Sequence, residues 1–466
     1  MDIEKRSIEF IPSEERYGTP RRLFTLWFSV NVQISALIIG ALGVVAGLNI
    51  FWALVALVCG TAIGAIFMAG HSAQGPHLGI PQMIQSRAQF GVYGAALPLV
   101  IMVVSYVLFT AANCVMIRSS VQAAVPISDN TAIVTFSAIS LFIAFVGYEL
   151  IHRVAIWMSV ASLLLFVLAG CFALAHPFPA GAWAPVASGF NLHGFMIGLM
   201  GAASWSIGFA PFVADYSRYL PQNVRTSHTF WYSYAGQFFG AVLVMTVGAI
   251  LGSLSYHAVD DAGNTVAAQF PYGRWLAYLL IVLGVLESNV MNVYSTYMSA
   301  TTIFTGFNGA VRIARAHKLL IMTAASCLAA GIAVATQYHF ADYFSDILII
   351  QLYICVPWTA INLCDFYYVR RGKYSVPDIY LANGQYGRFN AGTIFVFAVS
   401  LVAQIPFMQL SFYVGPVARY FGTDVTMLIS IILPSVLYLY INRVLVRESR
   451  QRSVPIPTQQ TQPSVH

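Results

Sequence analysis

Apolar stretches of about twenty residues recur along this 466-residue chain, each long enough to carry a helix across a bilayer core roughly 30 Å thick. They fall at 24–48, 51–70, 92–125, 131–150, 154–175, 190–213, 230–254, 275–303, 318–336, 342–368, 391–412 and 424–445. Charged residues make up only 9% of the chain, where ordinary soluble domains carry about 25%. So few charges cannot cover the surface of a soluble protein of this length, so the expected class is an all-α integral membrane protein with about twelve transmembrane helices.

Charge placement orients it. An even number of spans puts both termini on one side. Twenty of the 23 Lys and Arg residues then lie in segments on that side, from Lys5, Arg6, Arg16, Arg21 and Arg22 through Arg312, Arg315 and Lys318 to Arg443, Arg447, Arg450 and Arg452. Only Arg274 and Arg419 lie in loops on the other side, and Arg118 sits near the outer end of the third span. The positive-inside rule makes the populated side cytoplasmic, in a cell membrane. The expected partners are the lipid bilayer and a small solute. The basic residues form no patch with interleaved aromatics, so nucleic acid is not expected. Oligomeric state stays open.

The chain divides into a cytoplasmic N-terminal segment (1–23), five spans (24–175), five more (190–368), two further helices (391–445) and a polar, Pro- and Gln-rich tail (450–466) expected to be disordered. No cleavable signal peptide is read in the first residues. Gly70–Gly91 is too polar to cross, and a short helical pattern at 80–88 reads as an interfacial helix at the cytoplasmic face.

Polar groups inside spans mark the candidate site, because each is costly in hydrocarbon. In the eighth span Ser288, Asn292, Ser295 and Ser299 recur at helical spacing, and Asn289 and Thr296 widen that face. The stripe reads either as glue between helices or as a solute pathway. Glu287 beside it reads as the one carboxylate deep inside a span, able to carry a proton or to be held structurally. The first span carries Asn31, Gln33 and Ser35, then Gly40, Gly43 and Gly47, while the sixth carries Ser204, Trp205, Ser206, Gly208 and Pro211. Two interrupted, polar helices in corresponding positions point to an inverted-repeat transporter. Phe109 and Asn113, four apart in the third span, offer a ring and an amide on one face, which suits a flat heterocycle. Asp215 and Arg218 close the sixth span and read as an inner gate or as loop anchors.

Much else is excluded. His71 and His77 lack metal-ligand spacing, and the six scattered cysteines form no CxxC. No Walker A sequence, GxSxG elbow or HExxH occurs, so neither an ATP-driven pump nor a hydrolase is expected, and no cofactor beyond a coupling ion, H+ or Na+. An integral-membrane enzyme or a channel remains a weaker alternative.

Four segments, in order, resemble the nucleobase–cation symporter-1 family, the purine/cytosine permeases: IEFIPSEERYGTPRRLFTLWFSVN, GPHLGIPQMIQSRAQFG, PFVADYSRYLP and PWTAINLCDFYYVRRGKY. The resemblance implies a leucine-transporter-type fold, a 5+5 inverted repeat plus two peripheral helices, with alternating access around a site between helices one, three, six and eight. It implies a site at Phe109 and Asn113, around Trp205, Ser206 and Gly208, and at Asn292 with Asn289 nearby. Gln33 and Ser35 join this site on the residue reading. Family members more often carry Trp where Phe109 stands. Sodium-coupled members place two adjacent hydroxyls in helix eight, where this chain has Glu287 and Ser288. That departure favours proton coupling. The expected function is secondary active import of a nucleobase, cytosine or a purine, or a related flat heterocycle. The alternative within the family is sodium-coupled transport of hydantoin, allantoin, uracil or thiamine.

Overall fold

Backbone amides cannot go unpaired in hydrocarbon, and the chain meets that requirement with helices throughout. The computed structural model describes residues 9–123, 125–146, 148–308 and 315–452. Twelve helical segments follow the expected order. The first is a pair, Arg21–Val30 and Ile34–Val45, bent by 64° at the break. Then come Ile50–Gly70, Ala96–Met116, Asp129–Val146 and Tyr148–Ala173. The sixth, Leu192–Ile207, continues through a 3-10 turn at Ala210–Phe212 into Val213–Ser217. Thr226–Leu254, Arg274–Asn308, Arg315–Thr336 and Phe340–Cys364 follow, the last ending in a π-helical turn at Asp365–Val369. Ala391–Gln404 and Thr426–Arg452 complete the set.

Among the described residues, eight helices are long and apolar enough to cross a membrane, nine with the bent pair. Three shorter apolar helices take the fourth, fifth and eleventh positions. The eleventh stops earlier than expected, because Gln409–Leu410 and Tyr413–Val414 form a small antiparallel hairpin instead. Arg312 of the inner basic stretch, residues 1–8 of the N-terminal segment and 453–466 of the tail lie outside the described residues.

Glycine sets how closely the first and seventh helices pack. A Cβ on Gly248 would lie 1.8 Å from the carbonyl oxygen of Leu37, and one on Gly40 would lie 1.9 Å from that of Met245. Backbone meets backbone there, as small residues permit in membrane proteins. Of the first-span glycines, expected to interrupt the helix, Gly40 and Gly43 therefore serve packing, while Gly47, at φ +94°, follows the end of Ile34–Val45.

The segment read as an interfacial helix is corrected. It forms Gln82–Phe90, and all nine of its residues are buried. Its polar side chains face protein. Ser86 Oγ accepts from Trp358 Nε1 at 3.0 Å, and Gln89 donates to Asp365 at 2.9 Å. Gln82 donates to Gln74, which donates to Asn362 at 2.6 Å. Residues 82, 86 and 89 share one helical face; Ser86 and Gln89 meet residues 358, 362 and 365, themselves one turn apart on the tenth helix, while Gln82 reaches Asn362 through Gln74. On the other side Arg87 donates to the carbonyl of Thr302 on the eighth helix.

Two carboxylates near the ends of the tenth helix are more shielded than Glu287, which lies well inside the eighth. Asp346 and Asp365 of the tenth helix are both buried, 6% and 0% exposed, whereas Glu287 is half-buried. Asp365 is held by Arg370 at 3.0 Å, Tyr374 at 2.7 Å and Tyr438 at 2.9 Å. Tyr438 belongs to the twelfth helix, so that helix is bolted to the tenth. Spacing alone could not reveal these partners, which lie up to 73 residues apart.

Candidate functional site

The break in the first helix has a polar cause and lies upstream of its glycines. Asn31 turns its side chain back to the carbonyl of Trp27 at 2.6 Å, four residues earlier. Gln33 is extended, with φ −147° and ψ 158°, and its amide bonds the carbonyl of Val30. Its Oε1 is buried and meets no donor among the described residues. Side-chain competition for backbone groups is what halts a helix at such residues.

The sixth helix is interrupted more gently. It tightens at Gly208 and Phe209 but stays a single span, so the two interrupted helices are not equivalent. A Cβ on Gly208 would sit 2.8 Å from Nε2 of Gln351, so the glycine admits the tenth helix at this point. Ser204 bonds the carbonyl of Leu348 and lies 3.5 Å from Oε1 of Gln351.

These two breaks meet. Trp205 Nε1 donates to Asn31 Oδ1 at 2.7 Å. Asn31 and Gln237 exchange amide hydrogen bonds of 2.9 and 3.2 Å, and Gln237 also donates to Ser206 Oγ at 3.2 Å. Asn31 and Gln237 are fully buried and Trp205 is 6% exposed. The ring of Trp205 stands edge-on to Phe209, with centroids 5.3 Å apart.

A second set of contacts joins helices one, three and eight. Ser35 Oγ donates to Asn113 Oδ1 at 3.4 Å, and Asn113 Nδ2 donates to Ser288 Oγ at 3.2 Å. Phe109 lies one turn from Asn113, half-buried against the same apolar core as Trp205. Glu287 and Asn292 are half-buried neighbours of Ser288 on the eighth helix, and their side chains make no hydrogen bond or ion pair with a described residue. Asn289 stands apart from this group. It is fully buried and its amide turns to Ser140 and Cys114, at 3.4 and 3.5 Å. At the far end of the sixth helix, Asp215 Oδ1 accepts the backbone N–H of Gln82 at 2.7 Å, capping the linker helix. Arg218, 2% exposed, bonds the carbonyls of Asp215 and Glu9.

Of the residues singled out in the sequence, the structure brings Ser35, Asn113 and Ser288 together in one cluster and Trp205 and Ser206 in another. It missed Gln237 and Gln351. Each is an amide in an apolar span, and that polarity was the available signal.

The permease family for cytosine/purines, uracil, thiamine and allantoin matches residues 10–429. This chain belongs to that family. YxlA of Bacillus subtilis, named for the purine–cytosine permeases, is 39% identical over 94% of this chain and 95% of its own. The purine-cytosine permease fcyB of Emericella nidulans is 26% identical over 90% of this chain and 84% of its own. Among solved structures, inward-facing Mhp1 superposes with a TM-score of 0.75 at 17% identity, covering 97% of this chain and 99% of Mhp1. Mhp1 of the nucleobase-cation-symport-1 family, closed with bromovinylhydantoin bound, gives 0.71 at 16%, covering 95% and 96%. The permease is thus a multi-pass membrane protein with the fold of Mhp1.

Proposed function

We propose that this permease imports a nucleobase, cytosine or a purine, or a related flat heterocycle, by proton-coupled alternating access. The observation that carries the reading is the convergence of uncharged polar side chains at the break of the first helix. Ser35, Asn113 and Ser288 form one arc and Trp205, Asn31, Gln237 and Ser206 the other. A neutral heterocycle needs amide and hydroxyl partners for its edge, while a charged solute would need a matching charge in the site. Asn113, Asn292 and Gln33 would read the edge, and Phe109 and Trp205 the faces. Ser206 and Gly208 would border the solute, with Asn289 supporting the eighth helix from behind.

Glu287 is the candidate proton carrier. It adjoins Ser288, the hydroxyl that touches Asn113, so a change of charge there is one residue from the proposed solute contacts. Sodium is the second reading, since a carboxylate and a hydroxyl are also oxygen ligands. Asp215 and Arg218 would form the inner gate around the capped linker helix, with both termini cytoplasmic. Two inverted repeats over 24–175 and 190–368 fit the paired breaks, although the sixth helix is the straighter. The test is uptake by the purified, reconstituted chain under competition from a panel of purines, pyrimidines and hydantoins. Competition by cytosine or a purine supports the reading. Competition by hydantoins alone would overturn the choice of substrate.

A further inference from the structure

Behind the helices that carry the site lies a separate cavity of about 130 Å³. Its walls come from the third, ninth and tenth helices and from the tip of the hairpin, chiefly Leu108, Ala111, Ile332, Phe344, Ile350 and Phe412. Leu108, Ala111 and Ala112 occupy one face of the third helix, whereas Phe109 and Asn113 lie on another, toward Ser35 and Ser288. On the tenth helix Phe340, Phe344 and Ile347 face the cavity, while Ser204 and Gly208 of the sixth helix meet it at Leu348 and Gln351. The third and tenth helices therefore each touch the site on one side and the cavity on the other.

The walls offer water little. An ordered water needs two to four polar partners; besides Tyr343, the polar side chains here are Thr336, whose hydroxyl donates to the carbonyl of Ile332, and Asp346, a carboxylate already committed. It accepts from the backbone N–H of Ser411 at 2.9 Å and from its hydroxyl at 2.5 Å. That pair also holds the hairpin down, so that Phe412, the next residue, lies over the cavity. The hairpin is tied at its other side as well, through Gln409 N–H to Asp424 at 2.8 Å. Apolar protein cavities on the order of 150 Å³ stay dry and take up a benzene-sized molecule.

We propose that this cavity is a second binding site, for an uncharged single-ring aromatic molecule. Its occupant wedges the third helix from the tenth beneath the pinned hairpin. It thereby slows transport without competing for the solute.

The probe is fluorobenzene, used with the full-length purified chain. Fluorine NMR should show a saturable bound resonance, lost in Ala111→Phe and in Ile347→Trp, which fill the cavity from two sides. In proteoliposomes fluorobenzene should cut the maximal uptake rate at least threefold while the half-saturating solute concentration changes less than twofold. The filled variants should be insensitive. If either fails to fold, Phe412→Ala removes the cover and should weaken binding at least tenfold. Equal sensitivity in a filled variant would mean a bilayer effect and would overturn the proposal. So would competitive inhibition, or the absence of a saturable resonance, which reads binding without any knowledge of the transported solute.

Discussion

Trp205 Nε1 donates to Asn31 Oδ1 across 2.7 Å, joining the interruption of the sixth helix to the break in the first. Both partners are shielded from solvent, and Asn31 is paired at the same time with Gln237 on the seventh helix. The break in the first helix is thus held by side chains from two other helices.

Asn31→Ala strands the indole N–H and Gln237 Oε1, while Gln237 Nε2 keeps Ser206. Leaving a buried donor or acceptor unsatisfied costs about 1–3 kcal/mol. Thermal unfolding of the purified variant in detergent should show a loss of that size. An unchanged melting temperature would mean that the network does not stabilise the break.

Asn292→Ala should abolish uptake at wild-type membrane abundance, because its half-buried side chain has no described structural partner to lose. Asn113→Ala should lose uptake and also some stability, since that amide bridges Ser35 and Ser288. Uptake by Asn292→Ala with the wild-type affinity would remove the residue from the site.

Proton coupling through Glu287 predicts that uptake survives replacement of sodium by choline and collapses under a protonophore. Protonation of the carboxyl is then part of loading, so wild-type uptake should rise as external pH falls. Glu287→Gln, fixed in a neutral form, should lose that slope and at least tenfold of concentrative uptake, while retaining solute exchange. A strict sodium requirement in the wild type would sink the assignment.

Gly248→Leu should prevent assembly. Even its Cβ would fall 1.8 Å from the Leu37 carbonyl oxygen, and backbone cannot yield there without parting the first and seventh helices. Protein abundance in the membrane fraction is the measurement, and normal abundance would show that the helices can separate.

Asp365→Leu leaves Arg370 without its carboxylate. Arg370 is part-exposed and can turn to solvent, but the hydroxyls of Tyr374 and Tyr438 lose their acceptor, and each buried group left unsatisfied costs about 1–3 kcal/mol, so the variant should be less stable. Asp365→Asn keeps the shape and part of the hydrogen bonding and should lose less. Equal stability of the two variants would show that the hub contributes shape alone.

The order and class of the helices were readable because apolar length and Lys/Arg bias are local signals. Ser35, Asn113, Ser288, Trp205 and Ser206 were readable because each is a polar or amphipathic group in a greasy span. What lay beyond reading was pairing. Asn289 and Asn292 are three residues apart, and nothing in the sequence says that Asn289 turns to Ser140 while Asn292 does not. Ser86, Arg87 and Gln89 look like part of a surface helix until their partners arrive from residues 302 to 365. Polarity in a sequence marks a need for partners and leaves open whether water or protein supplies them.

That buried helix also constrains how the molecule is made. Ser86 waits for Trp358, which is synthesised 272 residues later. At roughly 5–20 residues per second, the interval is on the order of 10–60 s. During that time Ser86 and Gln89 must stay wet at the membrane surface, because their seat does not exist before the tenth helix inserts, whereas Gln82 and Arg87 find the sixth and eighth helices earlier. Chains released before residue 358 should therefore keep 82–90 open to protease, and completed chains should protect it. Burial of this helix is then completed late in biogenesis, by the tenth helix.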